Sequence, residues 1–142
     1  MGYKDPIQGI LEACHAIVSN NINDTYLHQA PETTPDIYVI IRPESASGLP
    51  KNHSGFFSSV VIAFEIVAKF QVSVNSINLN HYANIISSVL MPEPNSNGIG
   101  FTVDHQITDV SLQSSNTITD IDGDTKYITR IDRYEFLINQ KS

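Results

Sequence analysis

The spacing of apolar residues changes along the chain, and each spacing predicts a different element. Near the start they recur every three or four positions, which places one apolar stripe along a helix. The stripe consists of Ile7, Ile10, Leu11, Cys14, Ile17 and Val18. Asp5 and Pro6 suit a helix start and Asn20 suits a stop, so we predict a first helix over positions 6–19.

The longest alternating segment covers positions 56–70. Its even-numbered positions are nearly all apolar, whereas the odd ones include Ser59, Glu65 and Lys69. A period of two predicts a strand with one face in the core. Burial of a large apolar side chain contributes about 1.5–3 kcal/mol, so a charge at Ile62 or Phe64 is expected to unfold the domain.

Two proline-containing segments flank an earlier strand predicted at positions 37–41, which are β-branched or aromatic. Positions 23–36 predict a connecting arm, because Pro31 and Pro35 remove amide donors. On the other side, Pro43 is expected to end the strand and to begin a loop over positions 43–55. That loop is longer than a hairpin needs, and it is either a tolerated surface loop or a partner contact.

The second half of the chain repeats the order of a helix followed by strands. Positions 79–90 predict a second helix closed by Pro92, and positions 99–103 alternate as in a short strand. Positions 107–121 and 126–138 predict a long antiparallel pair turning at Asp122 and Gly123. We therefore predict one α+β domain over residues 1–142. It has an antiparallel sheet of about four strands, two helices on one face, and the order α-β-β-α-β-β.

Composition and charge restrict the function. The chain has 142 residues, a net charge of −7 and eight Lys and Arg residues, which disfavours tight binding of nucleic acid. No apolar run reaches the length of about 18–20 residues that a membrane span needs, so we expect no membrane partner. The single cysteine, Cys14, excludes an internal disulfide and suits assembly in the cytoplasm.

The sequence contains no recognised catalytic, cofactor or metal motif. Its five histidines are scattered singly, and Cys14 lies on the apolar stripe of the first helix. Asp120, Asp122 and Asp124 resemble part of a calcium loop, but the loop's glycine and its final carboxylate are missing from the required positions. We therefore expect a protein that is not an enzyme and that holds no cofactor or metal.

Several segments together resemble the phage tail-terminator and tail-completion proteins, small α+β subunits that assemble as head-to-tail connector rings around the DNA path. They are the first helix, the arm with Gln29-Ala30-Pro31, a strand followed by Glu44-Ser45-Ala46-Ser47, Phe64-Glu65-Ile66-Val67-Ala68, the second helix, the Asp-rich turn and the strand Arg130-Ile131-Asp132-Arg133-Tyr134-Glu135-Phe136. The polar stretch over positions 111–125 departs from the family pattern.

The resemblance implies a structural virion protein of a bacteriophage neck or tail. It implies a homo-oligomeric ring that contacts other neck or tail proteins while DNA passes through a mildly acidic lumen. A closed ring needs two different patches on each subunit, and the long loops are natural suppliers. The expected subunit or partner contacts are Glu44, Ser47, Leu49, Lys51, His53, Asp120, Asp122 and Asp124.

Two other function classes fit the same composition. One is a small-molecule-binding or regulatory α+β module, which a ligand would stabilise against heat. The other is an enzyme with a dispersed site such as His105 near Asp109. The resemblance favours the virion ring over both.

Overall fold

A five-stranded sheet and two helices form the part of the chain that the computed structural model describes, residues 2–48, 56–71, 79–94 and 96–141. The elements are α1 (Ile7–Ser19), β1 (Thr25–Leu27), β2 (Ile37–Gly48), β3 (Phe57–Gln71), α2 (Leu79–Leu90), β4 (His105–Asp122) and β5 (Thr125–Gln140). The strand order is β1-β2-β3-β5-β4. β1 runs parallel to β2, and the other neighbours are antiparallel.

Both predicted helices, the long strand and the terminal hairpin are confirmed. The first helix begins at Ile7, one residue later than predicted, and the Asp5 carboxylate accepts a hydrogen bond of 2.9 Å from the Ile7 amide. β4 and β5 meet at the two-residue turn Gly123-Asp124, one residue later than the predicted Asp122-Gly123, and Gly123 has a φ of 62°. A positive φ at the first turn residue favours glycine and is typical of the tight hairpin turn predicted there.

The predicted count of about four antiparallel strands, and the predicted element order, are wrong because a strand forms inside the arm. β1 is three residues long and pairs in parallel with Val39, Ile40 and Ile41 of β2. Thr25 is buried, and its hydroxyl donates a hydrogen bond of 2.6 Å to the Ile22 carbonyl. A three-residue segment is too short to show a period, so its pairing depends on tertiary contacts.

The prediction that β2 ends at Pro43 is also wrong. β2 continues to Gly48, and its pairing with β3 shifts register between Pro43 and Ser45. Such a bulge inserts an extra residue and lets a strand carry a proline where the missing amide is not needed for pairing. Roughly the first half of the predicted loop is therefore strand.

The short strand predicted near positions 99–103 does not form as predicted. Phe101 makes a single bridge to Gln106, and Val103 is exposed. The alternation there reflects apolar side chains at the surface, since Phe101 is also exposed and lies under the ammonium group of Lys141, 4.8 Å from its ring centroid.

One face of the sheet, here called the inner face, packs against both helices. The even-numbered positions of β3 from Val60 to Ala68 are fully buried, as the alternation predicted. They form one core with the apolar stripes of α1 and α2 and with the inner positions of β4 and β5. Phe64 and Tyr134 meet edge to face there, with ring centroids 5.4 Å apart.

Candidate assembly surface

The opposite side of the sheet, here called the outer face, carries an ionic network instead of helices. The bulge in β2 places Glu44 where its Oε1 lies 3.3 Å from Nε of Arg133 on β5 and 4.0 Å from Nη1 of Arg42. Arg42 and Arg133 both pair in register with Ala63 of β3. The three side chains therefore cross above Ala63, which explains why this alanine is fully buried on a face without helices.

The network extends along the central strand in both directions. Arg42 donates to Glu65, and this hydrogen bond is the main reason why the pKa of Arg42 is raised. Ser59 donates a hydrogen bond of 2.8 Å to the carboxylate of Glu135. Of the polar odd positions of β3, Ser59 and Glu65 are thus paired, whereas Lys69 is exposed. The centre of the outer face is a layer of paired polar side chains.

Five of the predicted contact residues lie in the described part of the chain, and these five do not come together at one site. Glu44 and Ser47 lie in the half of β2 that pairs with the start of β3, whereas Asp120, Asp122 and Asp124 lie where β3 ends at Gln71. We call the first end of the sheet the base and the second the tip. About ten residues of β3 separate them, or roughly 33 Å at 3.3 Å per residue.

Leu49, Lys51 and His53, the other predicted contacts, lie outside the described residues. Within the described part of the chain, Glu44 and Ser47 belong to β2 and are exposed. Glu44 is engaged with two arginines, so its carboxylate already serves the outer face of its own subunit. This second role was not visible in the sequence, because it depends on the strand pairing that sets Arg133 of β5 beside β3 and β2.

The tip of the β4–β5 hairpin projects with little cover. From Ser111 to Asp122 nearly every β4 residue is exposed, including the large apolar side chains of Leu112, Ile118 and Ile121. Asp120, Asp122 and Asp124 are exposed as well. Leu112 and Ile121 pair with inner positions of β5 and Ile118 with an outer one, so these side chains lie on both faces of the hairpin and form no single apolar patch.

A buried carboxylate fixes the root of the projecting hairpin, and sequence reasoning missed it. Asp132 is almost fully buried on the inner face, where it accepts hydrogen bonds from Nε of Arg130 at 3.0 Å and from the Ser115 hydroxyl at 2.5 Å. Arg130 also donates to Asn80 at the start of α2. Asp132 stands in the alternating series of inner positions on β5, and a charge in such a series is the sequence pattern that indicates a buried ion pair.

The same region perturbs a tyrosine. Burial, and secondarily the charge of Asp132, raise the pKa of Tyr134 to about 12. The Ser87 hydroxyl of α2 opposes this shift through a hydrogen bond. Asp132, Tyr134 and Ser87 therefore link the hairpin, the core and α2 through polar contacts beside the apolar core.

The residues suggested for a dispersed enzyme site have other contacts. The ring of His105 is buried, and its Nε2 lies 3.0 Å from the Lys4 carbonyl oxygen, whereas Asp109 is exposed. Burial raises the pKa of the Cys14 thiol, which suits a packing residue. Among the residues that the structure describes, no three His, Cys, Asp or Glu side chains are grouped to hold a metal ion.

An open cleft of about 340 Å³ lies between the first turns of α1 and the start of β4, lined in part by Glu12, Asp104 and His105. Lys4 bonds to Asp104 at 2.9 Å, and this contact is the main cause of the lowered pKa of that carboxyl. The cleft thus holds an ion pair that ties the N-terminal segment to the start of β4.

None of the described helices has the length and apolar character needed to cross a membrane.

Comparison with known proteins gives a likeness of fold. No family model matches this chain, and neither does any curated protein. A solved chain described as the virion of a native gene transfer agent (GTA) particle is similar in structure, with a TM-score of 0.54 and 13% sequence identity. The match covers 87% of this chain and 84% of the other. The α+β arrangement described above is therefore one that a virion chain also adopts.

Proposed function

We propose that this chain is a structural virion protein of a bacteriophage, and that it forms a ring around the DNA exit channel in the head-to-tail joint or tail. The observation that carries the proposal is the shared fold with the chain from the GTA virion, which extends over most of both chains. The tail-terminator resemblance in the sequence supports the same role independently, because it rests on segments in every part of the chain.

The charge of the chain fits a subunit that surrounds DNA without holding it. A net charge of −7 provides few cations to replace the counterions of the phosphate backbone. The arginines at the centre of the outer face, Arg42 and Arg133, are paired with carboxylates. DNA can then move past the ring with little attraction, as a genome that must leave the particle requires.

In this proposal the protein is not an enzyme, and its partners are copies of itself and other neck or tail proteins. The subunit is made and assembled in the host cytoplasm and ends in the virion. The exposed apolar and acidic tip of the β4–β5 hairpin supplies one surface for such contacts, and the base end supplies a different one. Two unlike surfaces are what a closed ring of identical subunits needs.

The test is to locate the chain in intact particles from the source of the sequence. Mass spectrometry of purified particles should detect it at a fixed number of copies, and a cryo-electron-microscopy map should show it as a ring on the particle axis at the neck or tail. Its absence from purified particles, or a position in the capsid shell, would contradict the proposal. A mock preparation from cells without particles is the control for carry-over of host protein.

A further inference from the structure

We infer that the free edge of β4 pairs with the free edge of β2 in a second copy of this chain, so that the sheet continues from one subunit to the next. The inference deepens the proposed ring and rests on it in taking another copy as the partner. The inferred contact uses backbone groups at the two edges of the sheet. These groups belong to the subunit itself and do not depend on the ring or particle that contains it.

β4 is an edge strand whose second half, from Ser114 to Asp122, has no lysine, proline or bulge to block pairing. Its 18 residues include no Lys, Arg, Pro or Gly, although natural edge strands are commonly blocked by lysine or proline. Two register shifts, at Ile107/Asp109 and Leu112/Ser114, are confined to its first half. From Ser114 to Asp122 the pairing with β5 is regular, so the opposite edge of that segment is an even row of backbone groups.

The chain itself already pairs with the first residues of this edge. The amide of Ile107 donates to the Gly100 carbonyl at 2.8 Å, and Thr102 donates to the His105 carbonyl at 2.8 Å. Asn97 adds a side-chain donor to the Ile107 carbonyl at 3.3 Å. This cover ends at Ile107: beyond it, no backbone bond to the outer edge of β4 is made within residues 2–48, 56–71, 79–94 and 96–141.

The hairpin turn determines which residues face the free edge. Asp122 and Thr125 flank the two-residue turn, and the pair that closes such a turn exchanges both of its backbone bonds. Because bonding alternates along an antiparallel ladder, Thr117 and Thr119 direct their N–H and C=O groups away from β5. These groups form the centre of the free edge.

β2 offers the complementary edge at the other side of the sheet. β1 covers it only as far as Ile41, whose carbonyl accepts a bond of 2.8 Å from the His28 amide. The register shift after Pro43 then directs the backbone of Ala46 outward by the same alternation. The part of β2 from Arg42 to Gly48 is thus bonded to β3, and no described residue outside β3 pairs with its other side.

Strand direction and charge favour pairing of β4 with β2 of a second subunit over pairing of β4 with β4. β2 and β4 run in opposite directions in the sheet, so a neighbour added beside β4 in the same orientation presents β2 antiparallel to it. Two β4 strands would join edges that carry Asp109, Asp120 and Asp122 and no cation. The open part of β2 carries Arg42 and Glu44, which balance each other, so it adds no net negative charge opposite the β4 edge. Pairing of unlike edges is also the kind of contact that closes a ring.

The test uses proline to remove one outward amide from each edge. Thr117→Pro deletes the β4 donor, and Ala46→Pro deletes the β2 donor, at positions where the strand's own pairing does not use that amide. Thr117→Val and Ala46→Ser are the matched controls that keep it. Self-association of the full chain is measured by sedimentation equilibrium. The wild type should self-associate, and the two controls should match it. The association constant of each proline variant should fall by at least about tenfold, because a hydrogen bond and the strand register are lost.

A mixture of the two proline variants distinguishes the pairing modes. Each variant keeps the edge that the other lacks, so the mixture should form one-to-one pairs and nothing larger. If β4 instead paired with β4, Ala46→Pro would associate like the wild type, and that result would overturn the inference. Proline variants that all assemble normally, or a wild type that remains monomeric at every concentration, would overturn it as well.

The experiment also distinguishes a misfolded variant from a lost contact, and failure of the edge pairing from failure of the ring proposal. If Thr117→Pro loses cooperative unfolding, Thr119→Lys replaces it, because lysine keeps every bond to β5 and blocks an approaching strand. The ring proposal is judged separately by the chain's place in particles. A ring found there, together with normal assembly of all edge variants, would leave the proposed function standing and discard the edge pairing.

Discussion

Glu44 of β2 reaches over the central strand to Arg133 of β5, with Oε1 and Nε 3.3 Å apart. The two side chains are about one quarter exposed, so the pair is partly shielded from solvent. A double-mutant cycle with Glu44→Ala and Arg133→Ala should give a coupling free energy of about 0.2–1 kcal/mol, measured by urea unfolding. Additive effects would show that the bulge positions Glu44 without gain in stability.

Loss of Asp132 is expected to cost much more, because it leaves Arg130 beside the core without its carboxylate. Asp132→Ala should lower the free energy of unfolding by about 3 kcal/mol, as for other buried ion pairs that lose one partner. Ser115→Ala removes a single hydrogen bond to the same carboxylate and should cost about 1 kcal/mol. Equal effects of the two substitutions in urea unfolding would contradict this assignment.

The inner face should tolerate no charge. Phe64 is fully buried against Tyr134, so Phe64→Asp is expected to abolish cooperative thermal unfolding, and Phe64→Ala should cost about 3–5 kcal/mol. Ile118→Asp introduces the same charge on an exposed strand position and serves as the control. If circular dichroism showed that the Phe64→Asp protein is folded, the assignment of Phe64 to the core would be wrong.

Tyr134 gives the stability a dependence on alkaline pH. Its pKa is raised to about 12 in the folded chain, against about 10 for an unperturbed tyrosine. The unfolded chain therefore loses this proton first. The stabilisation is fully present below pH 10 and is lost as the pH rises from about 10 to about 12. Tyr134→Phe should flatten the fall in unfolding free energy over that interval, and an unchanged slope would contradict the shift.

The acidic tip is expected to matter for contacts and not for folding. Replacing Asp120, Asp122 and Asp124 together by Asn changes exposed positions, so each substitution should alter stability by no more than about 0.5 kcal/mol. Incorporation of the variant into particles should fall relative to Gln113→Ala, a control at another exposed β4 position. Wild-type incorporation of the triple variant would remove these aspartates from the contact surface.

Periodicity predicted the elements whose environment is uniform along their length. The helices and the inner face of β3 each bury one regular stripe, so their apolar spacing was sufficient. β1, the bulge that carries Glu44 and the partners of Asp132 depend on which strands lie side by side, although the place of Asp132 in the inner series of β5 did indicate its burial. Such pairings join residues far apart in the chain, and no local pattern encodes them. The predicted contact residues that the structure describes lie at two ends of the sheet for the same reason.

β5 is the last strand of the sheet to be synthesised, and it lies between β3 and β4. Phe57 pairs with Asn139, and Gln71 pairs with Thr125. The pairing of β3 with β5 at the centre of the sheet is therefore complete only after residue 139 has been made. Contacts between such distant positions form slowly. Beyond Ile107, β4 pairs within the described part of the chain with β5 alone, so its edge forms with the local β4–β5 hairpin. Under the inferred pairing, a subunit therefore carries its two assembly edges in one continuous sheet only after β5 has docked on β3.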